Sequence, residues 1–199
     1  SQRIWAALGQ GDIVRAQGRL DRALEFYMAA KGIAEKDSAA NPDVLDSRRN
    51  IYAANLFIGD VLMQQGKSGE ATKAYEAGLE IAEYLANADP SMAEWQRDVS
   101  ITQNKLGDAW TAQGRLADAE AAYEAGLVLV KKLMETYPDN VGWRRDVSIS
   151  HERTGDARLA QGNIAGAQEA YMASIEMREG ISALDPNNTE WRRDLSIAH

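Results

Sequence analysis

Chemistry in this chain would have to come from very few side chains. The sequence holds two histidines, His151 and His199, and no cysteine. The histidines stand 48 residues apart, an interval that recurs along the whole chain, so they read as one position of a repeat rather than two halves of a site. On neighbouring helices about 10 Å apart, they could not both reach a metal held at about 2.0 to 2.1 Å. His151-Glu152 lacks the second histidine of H-E-x-x-H. Gln65-Gly66-Lys67-Ser68-Gly69 imitates part of a phosphate loop, but its counterpart one interval later is Gln113-Gly114-Arg115-Leu116-Ala117, which marks it as a turn. There is no G-x-x-x-x-G-K-[ST] and no G-x-G-x-x-G after a strand. Ser100 and Ser148 have no base within reach along their helices. With 30 acidic residues, carboxylate pairs are too common to be specific. The expectation is a protein without catalytic residues, cofactor or metal.

The interval itself is the informative feature. The four prolines are Pro42, Pro90, Pro138 and Pro186, each 48 residues from the next. The same period carries Gly11-Asp12, Gly59-Asp60, Gly107-Asp108 and Gly155-Asp156, the Gln-Gly pairs ending at Gly18, Gly66, Gly114 and Gly162, and Tyr27, Tyr75, Tyr123 and Tyr171. Ala23 and Arg49 begin two further columns of four, and Trp95, Trp143 and Trp191 match in three copies. Such alignment is the signature of a repeat architecture. The units are approximately 1–42, 43–90, 91–138 and 139–186, with 187–199 the start of a fifth unit or a C-terminal cap helix, all in one repeat domain spanning 1–199.

Within a unit, Pro138-Asp139-Asn140 breaks the chain. Residues Trp143 to Gln161 then run without proline at helical apolar spacing and stop at Gly162, a helix A closed by a glycine. Ala165 to Ala183 repeats the pattern as helix B and stops before Asp185-Pro186. Two helices of about 30 Å joined by so short a link must lie antiparallel. Glycine inside helix A costs about 1 kcal/mol relative to alanine, so the column begun by Gly11 needs a compensating reason. Close approach of a neighbouring helix is the expected one, with the Ala23 column and Gly78, Gly126 and Ser174 as the matching gap and the tyrosine column as the bulk.

These residues resemble a tetratricopeptide repeat. Gly107 falls on that family's helix A glycine, Leu106 and Trp110 on its large apolar positions, Gly114 on its turn glycine, and Ala119, Tyr123 and Gly126 on its small-aromatic-small triplet. The departure is length, since the family's repeat is about 34 residues. The additional residues place Trp95-Gln96-Arg97-Asp98 ahead of the usual helix A, and the W-x-R-D…G-D…Q-G pattern resembles the long-period bacterial variant. The resemblance implies an all-α, right-handed α-solenoid of antiparallel helix pairs. It further implies a protein-protein interaction scaffold that binds a peptide or partner helix on the concave face lined by helix A.

Positions three or four apart share a helix face, so each unit presents one stripe to that face. It reads Trp5, Leu8 and Asp12 in the first unit and Arg49, Leu56, Asp60 and Met63 in the second. The third gives Arg97, Asn104, Asp108 and Thr111, and the fourth Arg145, Glu152 and Asp156. The aspartate column is either a ligand-contacting ladder or a structural feature of the repeat. Arg15 follows Asp12 by three residues, Lys105 precedes Asp108 and Arg153 precedes Asp156, so each can be neutralised locally. Asp60 has no such partner and is flanked by Leu56, Phe57 and Met63, a setting suited to a cationic or mixed basic and apolar peptide side chain. The arginine column likewise either pairs with acidic neighbours or holds acidic groups of a partner. The family's Lys and Asn carboxylate clamp is absent, which argues against chaperone-tail recognition. The tryptophan column is expected to fill the gap between units. The first half of the face is the more apolar, which favours an amphipathic ligand with an apolar end.

Composition sets the boundaries of that reading. Lys and Arg number 22 against 30 Asp and Glu, for a net charge of −8 and a pI near 4.9, which disfavours nucleic acid and anionic membrane as partners. No stretch approaches the ~20 apolar residues of a membrane helix, no basic and apolar leader is visible, and the absence of Cys suits the cytoplasm. Beginning at Ser1 rather than Met, the chain reads as a piece of a longer protein. Leu195 and Ile197 would lack a helix B partner, which raises end-to-end self-association or an oligomerisation role as an alternative. A sensor domain within a larger bacterial signalling or effector protein is another.

Overall fold

The computed structural model describes residues 2–184. The expected fifth unit, with Trp191, Arg193 and His199, lies outside the described residues. Every regular element among those described is an α-helix, and there are eight: α1 Gln2–Ala16, α2 Leu20–Ala40, α3 Leu45–Gln64, α4 Ser68–Ala88, α5 Ala93–Ala112, α6 Leu116–Thr136, α7 Val141–Ala160 and α8 Ile164–Leu184. The odd-numbered helices are the A helices of the 48-residue unit and the even-numbered ones its B helices. Helix α7 begins two residues before the expected Trp143 because the Asn140 side chain caps it, accepting from Gly142 N at 2.9 Å.

Each A helix ends at the Gln-Gly pair. Gly18, Gly66, Gly114 and Gly162 all have φ between 74° and 80°, the left-handed region where a Cβ is strained. The hydrogen bonds around Gly66 explain the requirement. Gly66 N donates to Met63 O at 2.9 Å and Lys67 N to Leu62 O at 2.9 Å, so the last carbonyls of α3 are met by the turn instead of water.

Cα packing groups the chain into two compact units that divide at Gln113 and Gly114. In the first unit α1 packs on α2, α2 on α3, α3 on α4 and α4 on α5. Its core contains Ile4, Leu8, Tyr27, Val61, Tyr75 and Leu106, all almost fully buried. In the second unit α6 packs on α7 and α7 on α8, around Leu127, Val130 and Val147 with Met134 and Met177 against them. Trp95 and Trp143 are buried, at 6% and 4% exposure, which fits the filling role expected of that column rather than a surface anchor.

The helix A glycines have a more specific reason than helix approach. A Cβ at Gly155 would lie 2.7 Å from Tyr171 Cε1, and at Gly11 and Gly59 it would collide with the rings of Tyr27 and Tyr75. The compensating partner is thus the tyrosine ring of the same helix pair. Gly78 serves the opposite direction, since a Cβ there would meet Leu56 Cδ1 at 3.1 Å.

Candidate functional site

The residue after each of these glycines completes a latch. Tyr27 OH donates to Asp12 Oδ1 at 2.7 Å, Tyr75 OH to Asp60 Oδ1 at 2.8 Å and Tyr171 OH to Asp156 Oδ1 at 2.6 Å. Glycine admits the ring and the next aspartate receives its hydroxyl, so the Gly-Asp and Tyr columns are one device. Burial and the nearby carboxylate raise the phenols, Tyr171 to about 12 and Tyr27 and Tyr75 further, and a phenol that keeps its proton remains a donor.

Asp60 is not the lone anion that its own helix suggests. Lys105 Nζ from α5 reaches Asp60 Oδ1 at 2.6 Å and Arg15 Nη1 from α1 approaches Oδ2 at 3.9 Å. Arg15 also pairs with Asp12 at 3.5 Å, as expected from their spacing. The neutralising cations come from adjacent repeats, and Lys105, expected beside Asp108, pairs across to Asp60. Rings interleave with this ladder: Phe57 stacks on Tyr27 with centroids 5.1 Å apart, Arg15 lies over Phe57 and Lys105 over Tyr75.

Arg49 of the arginine column bonds forward by one repeat. Arg49 Nε donates to Asp98 Oδ2 at 3.2 Å. Burial pushes the Asp98 carboxyl above its ordinary range against the opposing pull of Arg49. Beneath this pair, Tyr52 OH donates to Asp98 O at 3.1 Å and fastens α3 to α5, while Thr102 Oγ1 donates to the same carbonyl from within α5 at 2.7 Å.

Between the two ion-paired ends, α1, α3 and α5 enclose a pocket of about 610 Å³. Trp5, Leu56, Phe57 and Ile101 supply its apolar surface, Arg49 and Asp98 one charged end, and Asp60 and Lys105 the other. Trp5 is 59% exposed. A pocket of this size and lining suits an apolar group presented with polar flanks.

Four of the expected ligand-facing residues therefore share this pocket: Trp5, Arg49, Leu56 and Asp60. Leu8 does not, because it is 2% exposed and belongs to the same buried cluster as Tyr27 and Ala30. Asp12 and Met63 are half-buried at the edge of the first unit's core, and Arg97, Asn104 and Asp108 are half-buried on α5, where Thr111 is exposed. In the second unit Arg145 and Asp156 are exposed, while Glu152 accepts from Arg178 of α8. Phe57, named in the sequence as a flank of Asp60, lines the pocket, and sequence spacing missed Tyr52, Asp98 and Lys105 as pocket residues. Of these three, Asp98 carried a signal, its recurrence beside the arginine of W-x-R-D. Among the described residues no group of three His, Cys, Asp or Glu side chains is placed to hold a metal ion, and no helix is long and apolar enough to cross a membrane.

A tetratricopeptide repeat family model matches residues 52–84. A search of curated proteins finds no match. Among solved structures, the chain is similar to BtubC (BKLC) from P. vanneervenii, with a TM-score of 0.71 and 20% identity over 90% of this chain. It spans 64% of the length of that protein. It is also similar to the nearly identical TPR-like repeats of a putative kinesin light chain from Podosopora anserina, with a TM-score of 0.60 and 17% identity, over 98% of this chain and 84% of the other. At these identities the likeness is one of fold.

Proposed function

Since residues 52–84 form a tetratricopeptide repeat and the same unit recurs every 48 residues, we propose that the chain is a non-catalytic protein-interaction module. Its first unit takes a segment of a partner protein along α1, α3 and α5. The observation that carries this reading is the 610 Å³ pocket, apolar at its centre and charged at both ends. A bulky apolar side chain of the partner would anchor there, and flanking polar groups of the segment would meet the Arg49 and Asp98 pair at one end and the Asp60 and Lys105 pair at the other. Anchors buried in such pockets dominate binding energy, while the charged rim sets register. Asp60 acts as part of that rim and not as an isolated cation receptor. A cytoplasmic setting, suited to an acidic chain without cysteine, belongs to the same proposal.

The test is selection of peptides from a displayed library on the intact chain, followed by titration against Trp5→Ala and Ile101→Lys. Selected peptides should share an apolar anchor, and each variant should weaken binding by about tenfold or more with an unchanged melting temperature. Affinity unchanged in both variants would refute the assignment.

A further inference from the structure

A cavity of about 340 Å³ opens between α2, α3 and α4 and shares no residue with the pocket described above. Several of its residues differ from their counterparts in the other copies. Lys31 stands where the other copies have Leu79, Leu127 and Ile175, Asn55 where they have Ala7, Gln103 and His151, and Tyr84 where they have Lys36, Lys132 and Gly180. At the position of Arg48, Gln96 donates to Pro90 O at 2.7 Å and Arg144 to Pro138 O at 3.0 Å, tying each helix A to its proline turn. Arg48 makes no such bond and lies instead over the Tyr84 ring, 4.4 Å from its centroid.

Arg48 and Asn55 both line the cavity, and Arg48 has no ion-pair partner among the described residues. Arg48 Nε is buried and has no hydrogen-bond partner. Asn55 is 2% exposed, and among the described residues its amide has none. A carboxylate is the acceptor that suits a guanidinium and an amide together. Acidic groups line the same cavity. Glu80 has no ion-pair partner among the described residues, and Glu35 is held only loosely by Lys31 at 3.9 Å. A doubly charged anion such as phosphate would be repelled by these carboxylates, while an ammonium would be drawn to them. Ile51, Ala77 and Ile81 supply apolar wall between the two sets of charges.

We propose that the cavity between α2, α3 and α4 is a binding site for a small zwitterion of the α-amino-acid class with an apolar side chain. The ligand carboxylate accepts from Arg48 and Asn55, its ammonium faces Glu80 and Glu35, and its side chain packs on Ile51 and Ile81. The volume lies at the small end of ligand pockets, which suits one amino acid rather than a chain segment. The site is independent of peptide binding on α1, α3 and α5.

Titration of the intact chain with L-leucine, followed by backbone amide NMR shifts, tests the site. Saturable shifts centred on residues 31, 48, 55 and 84 are expected. 4-Methylpentanoate, which lacks the ammonium, and leucinamide, which lacks the carboxylate, should each bind about tenfold more weakly or worse. Arg48→Gln and Asn55→Ala should weaken leucine to a similar degree. The proposal is overturned if leucine gives no saturable shifts at these residues, if either analogue matches leucine, or if both folded variants bind it as well as the unaltered chain. The analogue series needs no variant to fold.

Discussion

Asp60 illustrates how much a side chain's role depends on partners that lie far away in sequence. It accepts from Tyr75, Lys105 and, more distantly, Arg15, so Asp60→Asn should lower the melting temperature as well as any ligand affinity. Hydrogen bonds to a charged group contribute about 1.5 to 3 kcal/mol, and thermal denaturation of the variant would measure the loss. The adjacent glycine gives a sharper contrast. Gly59→Ala drives a methyl into the Tyr75 ring and should cost about 1 to 3 kcal/mol. Gly32→Ala in α2 meets nothing within 4 Å and should stabilise by about 0.5 to 1 kcal/mol. Urea titrations of the pair should move in opposite directions. His151 supplies a pH dependence. Burial, with Lys131 and Arg158 nearby, lowers it from 6.5 to about 4, so between those values the unfolded chain binds the extra proton. Its contribution to stability is intact above pH 6.5 and is lost as the pH falls towards 4. His151→Gln, which installs the residue of the preceding copy at Gln103, should flatten that part of the stability profile in denaturant melts run from pH 7 to pH 4.

At the scale of helices, the reading from sequence and the structure agree where the cause is local. The Gln-Gly pair predicts the end of every A helix because a left-handed residue is a backbone requirement, and Gly66→Ala at φ 74° should cost about 1 to 2 kcal/mol, measurable by calorimetry. Helices α7 and α8 fall within two residues of their expected bounds for the same reason. What could not be read locally was which helix answers which. Arg49 and Asp98 are 49 residues apart and Asp60 and Lys105 are 45 apart, separations that acquire meaning only once helices of successive repeats lie side by side. Leu8 failed as a groove residue because the stripe rule gives a face but not the depth of a side chain on it, and this one sinks towards α2. The tyrosine that fills the helix A glycine was legible as a column and missed as a partner, since its distance along the chain hides that it returns to the same spot.

Across the molecule, the principal helix packings in each unit join consecutive helices. Such an arrangement builds stability as a sum of repeat and neighbour terms, and its local contacts favour fast folding. The links sort by reach. The Asp and Tyr latch closes within one helix pair, while the arginine, lysine and glutamine links run one repeat further: Gln113 Nε2 donates to Thr72 Oγ1 at 2.8 Å, and Gln65 Nε2 to Asp21 Oδ1 at 2.9 Å. Excising residues 43–90 removes one whole period and keeps the remaining latches in phase. The shortened chain should still give a helical circular dichroism spectrum with a cooperative melt, at a lower midpoint, while losing both cavities of the first unit. An aperiodic or non-cooperative product would show that the copies are not interchangeable as scaffolding.

The strict 48-residue spacing of the Gly-Asp and Tyr latch also bears on how such a chain can change. Unequal recombination between copies preserves the phase of every latch, so gain or loss of a period is structurally mild. The cavities follow another rule. Asn55 and Tyr84 belong to one copy alone, and overwriting that copy with a sister sequence would leave the helices standing and erase the site. Selection on copy number can thus act on the scaffold, whereas selection for binding must protect the differences between copies from being homogenised.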